Sequence, residues 1–116
     1  MAGVYRLKID QGTTVRRGFR WLRNTTPVDL TGCRARMEIR TAVGGALIHR
    51  LDTDEGDGLT IDGPAGMITL SIPPSVSSAW TSLTGVYDLE VVFPDGTVTR
   101  LVQGPISVSA EVTTGE

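Results

Sequence analysis

The chain has 116 residues and a mass of 12.4 kDa, the size of one domain that can bury a single core without a disulfide or a metal. Hydrophobic residues make up 40% and charged residues 21%, with a net charge of −2, as in a soluble globular protein. A single cysteine excludes an internal disulfide and any multi-cysteine zinc site, so Cys33 is read as a small buried residue.

Almost every segment has a period of two and ends in turn chemistry. Val4 to Ile9 is a first strand, with Tyr5, Leu7 and Ile9 on one face and Arg6 and Lys8 on the other. Thr13 to Leu22 is a second, with Val15, Phe19 and Trp21 opposite Arg16 and Arg20; Arg17 falls on the apolar side, so Arg17-Gly18 is read as a bulge. Asn24 to Pro27 is a loop. Cys33 to Thr41 is a third strand, turning at Gly44-Gly45 into a return strand, Ala46 to Leu51. An acidic loop, Asp52 to Gly58, leads to short Leu59 to Ile61, a turn at DGPAG, and a strand Met67 to Ile72.

Pro73 to Leu83 breaks the alternation. Val76, Trp80 and Leu83 recur at helical spacing behind two prolines, with Ser75 as a cap, so a helical turn is expected to plug one end of the sheet with Trp80. Tyr87 to Phe93 alternates again, Pro94-Asp95-Gly96 turns, and Thr97 to Val102 runs back. Gly104-Pro105 is expected to interrupt before a last strand, Ile106 to Ala110. These elements predict an all-β chain: one domain over 1–116, an immunoglobulin-like, two-sheet antiparallel sandwich of about eight strands with one helical turn near 75–83. A small closed barrel is the alternative.

Charge is distributed unevenly. Residues 1–50 hold ten of the eleven Lys and Arg against three acids, and the remainder holds one Arg against ten acids. Cross-strand pairing that cancels both is the leading reading. Subunits stacked through opposite charges come second, and a nucleic-acid surface third, since aromatics at 5% are too few for base stacking. No apolar run approaches the roughly 18 residues that span a bilayer, and MAGVYRLKID alternates charge with hydrophobe; no membrane or secretory role is expected.

Catalytic chemistry is not expected. The one histidine, His49, shares a strand face with Leu47 and Leu51, and no nucleophile motif, phosphate loop or metalloprotease motif occurs. DTDEGDG carries hard oxygen ligands, but Gly56, Asp57 and Gly63 fall where an EF-hand needs an acid, a glycine and a glutamate. No cofactor or metal is therefore expected. Trp21 and Trp80 both sit in apolar patterns, which weighs against a carbohydrate- or calcium-binding module.

IDQGTT (Ile9 to Thr14), FRW (Phe19 to Trp21), PVDLTGCRARMEIR (Pro27 to Arg40), GVYDLEVVFPDGTVTRLVQG (Gly85 to Gly104) and ISVSAEVT (Ile106 to Thr113) resemble, in this order, a family of small virion proteins of tailed bacteriophages. The layout is similar to the immunoglobulin-like N-terminal anchoring domain of upper baseplate proteins in lactococcal phages. It stops at residue 116 without a receptor-binding segment, so direct host recognition is not implied. The resemblance implies a non-enzymatic structural component of a virion, made in a bacterial cytoplasm. It would dock on the tail, baseplate or fibre-attachment region as a homo-oligomer or symmetric array, or alternatively decorate the capsid. Its partners would be other virion proteins, met through the outward arginines Arg16, Arg20, Arg34, Arg36 and Arg40; nucleic acid is not an expected partner.

Overall fold

The alternating segments fold as strands, and the polar breaks between them fold as turns. A computed structural model describes residues 3–54, 58–80 and 83–110. The elements are β1 (Gly3–Val4), β2 (Leu7–Asp10), β3 (Val15–Arg20), β4 (Leu22–Arg23), β5 (Thr26–Pro27), β6 (Arg34–Arg40), β7 (Leu47–Asp52), β8 (Leu59–Asp62), β9 (Met67–Ile72), α1 (Pro74–Ser77), β10 (Leu83–Val92) and β11 (Val98–Ser109).

Two sheets stack face to face. One has the order β1-β11-β10-β6-β7, with β2 also on β11, and the other has the order β3-β9-β8. This is the strand order of an immunoglobulin-like sandwich, and among the described residues the isolated bridge Asp52–Gly58 is the one backbone pairing between the two sheets, so they do not close into a barrel. Inward residues alternate along each strand. Ala35, Met37 and Ile39 of β6 and Leu89 and Val91 of β10 face Ile68, Leu70 and Ile72 of β9, with Leu7, Ile9, Leu51, Leu59 and Ile106 filling the same core. Each such side chain taken fully out of water contributes about 1.5–3 kcal/mol, so the fold stands on packing. Cys33 is half-buried against this core rather than fully inside it. Burial, then the nearby carboxylates of Asp29 and Asp95, push its thiol up.

Several expectations are corrected. The sandwich is not wholly antiparallel, because β1 and β2 run parallel to β11. The expected first strand is broken at Tyr5-Arg6, whereas the expected break at Gly104-Pro105 does not occur: β11 runs through it. The two departures have one cause. Tyr5 N–H donates to the Gln103 carbonyl at 3.0 Å, so in a parallel ladder the Tyr5 carbonyl would next accept the N–H of residue 105. Pro105 has no N–H to give. The Tyr87 hydroxyl reaches across Gly104 and donates to the Tyr5 carbonyl instead, at 2.6 Å. Only glycine permits this approach, since a Cβ at 104 would stand 2.3 Å from the Tyr5 carbonyl oxygen. Burial pushes the Tyr87 phenol up to about 12.

Elsewhere, β3 pairs with β9 in unbroken register, so there is no bulge at Arg17-Gly18 and Arg17 keeps its inward position. The registers that do shift lie between Leu89 and Glu90, where Leu101 of β11 is the extra residue, and between Ile39 and Arg40, where Ile48 is. The loop after Trp21 is a tight hairpin of β4 and β5, with Asn24 in the left-handed region at φ 58°. The helical turn is shorter than expected, Pro74–Ser77 with Pro73 as its N-cap and without the Ser75 cap, and Leu83 opens β10 instead of ending the helix. Ser77, fully buried, ties it down by donating to the Thr13 carbonyl and accepting from Gly12 N–H. Trp80 is buried as expected and meets His49 with ring centres 5.6 Å apart, which gives the lone histidine a packing role.

Candidate docking surface

Strand alternation puts Arg34, Arg36, Glu38 and Arg40 on the outer face of β6. The register then sets Asp88 and Glu90 of β10 on one side of them and Arg50 and Asp52 of β7 on the other. The result is a lattice of ion pairs. Arg36 meets Glu90 at 2.9 Å, Glu38 bridges Arg40 at 2.8 Å and Arg50 at 2.7 Å, and Arg34 reaches Asp54 of the acidic loop at 3.0 Å. Arg50 also stands 3.5 Å from Asp52, and Arg100 of β11 stands 3.4 Å from Asp88. Five arginines thus face five carboxylates within one chain. Hydrogen bonds from Arg40, with Arg50 adding to them, lower the Glu38 carboxyl, while burial and the neighbouring Glu90 raise that of Asp88. A shallow groove of about 460 Å³ crosses this face between Val4 and Val43. The charges lining it, Glu38, Arg40, Asp88 and Arg100, are members of the lattice.

The cations of the first strands are placed differently. Arg16 and Arg20 lie on the outer face of β3, two strands from the nearest side-chain acid of their sheet, Asp62 at the end of β8. Arg6, in the break before β2, Lys8 on β2 and Arg23 on β4 are also exposed. Among the described residues, no ion pair engages these five or Arg17. The inward Arg17 spends its guanidinium on backbone, donating to the Arg16 carbonyl at 2.8 Å and to the Lys8 carbonyl at 3.1 Å. That second bond ties β3, an edge of one sheet, to β2, an edge of the other.

Alongside this tie the two sheets part into a groove of about 360 Å³. Tyr5 and Phe19 meet edge to face across it, 5.9 Å between ring centres, with Leu101 and Val102 as floor and Arg17 and Arg20 at the rim. The five arginines singled out in the sequence therefore do not form one patch. Arg34, Arg36 and Arg40 belong to the compensated face, and Arg16 and Arg20 belong to the open edge of the other sheet. Sequence reasoning missed Arg17 and the Tyr5-Phe19 pair. The signal for Arg17 is its position on the apolar parity of β3, which is genuine and not the product of a bulge.

Among the described residues no cluster of His, Cys, Asp and Glu is arranged to hold a metal, and Glu55, Gly56 and Asp57 of the acidic loop lie outside them. None of the described helices is long and apolar enough to cross a membrane. Fold and surface together define an immunoglobulin-like sandwich with one charge-compensated face and one open, cationic edge. Compared with known proteins, the chain matches no family model and none of the curated sequences.

Proposed function

We propose that the chain is a non-enzymatic structural component of a tailed-bacteriophage virion, docking as a repeated subunit on the tail, baseplate or fibre-attachment region. The observation that carries this reading is the segregation of its cations. Those on the outer face of β6, β7 and β11 are spent within the chain, while Arg6, Lys8, Arg16, Arg20 and Arg23 have no ion pair among the described residues, and Arg20 lines an apolar groove at the β3 edge. An edge of this kind gives a partner backbone hydrogen bonds, apolar contact and charge at one place. The ordered motifs from IDQGTT to ISVSAEVT support the virion assignment. Repetition in a ring or lattice turns individually weak contacts into stable attachment.

The test is quantitative mass spectrometry of purified phage particles whose genome encodes this chain, followed by imaging. The reading expects the chain in mature particles at a copy number that matches tail or baseplate symmetry. A copy number matching the head lattice would replace it with capsid decoration, and absence from mature particles would sink both.

A further inference from the structure

We propose that the β3 edge receives an extended, acidic segment of a partner protein, with apolar residues alternating with carboxylates, laid as an added strand over the Tyr5-Phe19 groove. This inference rests on the docking reading above and names the partner's chemistry. β3 pairs with β9 along one side only, and its other side borders no strand among the described residues. Its six residues offer a template about 20 Å long.

Side-chain parity sets what fits. A strand added beside β3 places every second side chain on the outer face, in reach of Arg16 and Arg20. Gly18 lies between those two arginines and presents no side chain of its own. Carboxylates at outer positions would form cross-strand pairs with both arginines, and neither arginine has a carboxylate partner among the described residues. The alternate side chains point into the groove, where Phe19, Tyr5, Leu101 and Val102 supply an apolar floor. A purely acidic partner would leave that floor uncovered, and a purely apolar one would leave the rim charges unpaired. Alternation satisfies both.

The same features argue against a second copy adding its own β3 here. Cationic rims repel each other, and an inward-pointing charge such as Arg17 is a device by which sheet edges resist self-association. Arg17 takes the Arg16 carbonyl for itself at 2.8 Å, so one acceptor of the edge is already covered.

The probe is an acetylated octapeptide of alternating glutamate and valine, titrated into isotopically labelled protein and followed by amide NMR shifts and hydrogen-exchange protection. The expected result is shifts confined to β3, Tyr5 and Leu101, with new protection along β3. Arg16→Gln combined with Arg20→Gln should weaken binding about tenfold, from two exposed charge pairs. Arg36→Gln, whose cation pairs with Glu90, should leave binding unchanged and serves as the folded control. Four outcomes overturn the proposal: shifts on another edge, equal affinity for oligoglutamate, tighter binding of a 20-base-pair DNA duplex, or β3 protection that rises with protein concentration alone. If the peptide fails while the chain is found in virions, the virion reading survives and this inference falls. If the peptide binds while virions lack the chain, the reverse holds.

Discussion

Tyr87→Phe removes one oxygen atom and tests why the first strand breaks. The Tyr5 carbonyl would then have lost the 2.6 Å bond from the Tyr87 hydroxyl, and the residue that would serve it in a regular ladder is Pro105, which has no N–H. Loss of a partly buried hydrogen bond costs about 1 kcal/mol. For a chain of this length the unfolding entropy makes that about 4 °C in Tm. Tyr87 itself is buried, so the ring of Phe fills the same space and no cavity is added to the loss. The discriminating measurement is a double-mutant cycle with Pro105→Ala, by urea unfolding followed through tryptophan fluorescence. Alanine restores an N–H facing Tyr5, so Tyr87→Phe should cost measurably less in that background than in the native one. An equal cost in both backgrounds, or no cost in either, would refute the substitution of hydroxyl for amide.

Gly104→Ala should be worse than Tyr87→Phe, about 2–4 kcal/mol, because a Cβ 2.3 Å from the Tyr5 carbonyl oxygen must push backbone rather than a flexible side chain; the same unfolding assay reads it. Met37→Ala, at a fully buried position, should cost about 2–5 kcal/mol by urea unfolding. Arg36→Gln, at a half-exposed ion pair, should cost about 1 kcal/mol or less, and a larger loss would mean the lattice is a major source of stability. Asp88 has its carboxyl raised by burial and by Glu90, so the folded state binds its proton more tightly than the unfolded chain does. Its ionisation therefore costs stability as pH rises from the ordinary carboxylate range through the raised value. Asp88→Asn should raise Tm at pH 7 and leave it unchanged near pH 3, read by calorimetry at both pH values.

Strands were legible where one face is buried and the other wet, because a one-residue error in register would expose the whole apolar set. That is why the β6 alternation from Ala35 to Ile39 and its hairpin return through Gly44 could be read from the sequence. Parallel pairing of β1 and β2 with β11 leaves no such mark, since parity is the same whichever neighbour a strand finds. The break at Tyr5-Arg6 was hidden for a related reason. Its cause is Pro105, a hundred residues away in sequence and adjacent only in the fold. The arginine face showed the same division between what parity fixes and what pairing decides. Alternation correctly put Arg34, Arg36 and Arg40 outward, but only the β10–β6 register reveals that Glu90 neutralises Arg36, whereas Glu38 pairs with Arg40 along the same strand. Arg17 was misread because a charge on apolar parity is usually explained by a bulge, whereas at an open edge its long side chain can turn along the border and bond backbone.

Docking by the cationic edge, as proposed, would leave a direct signature in the particle. High-resolution imaging of phage particles that contain the chain measures this directly. The account predicts density from a neighbouring subunit along β3 and over Tyr5 and Phe19, with the β6 face turned away from the contact. Particles in which β3 faces solvent while the Arg36-Glu90 lattice forms the contact would contradict it.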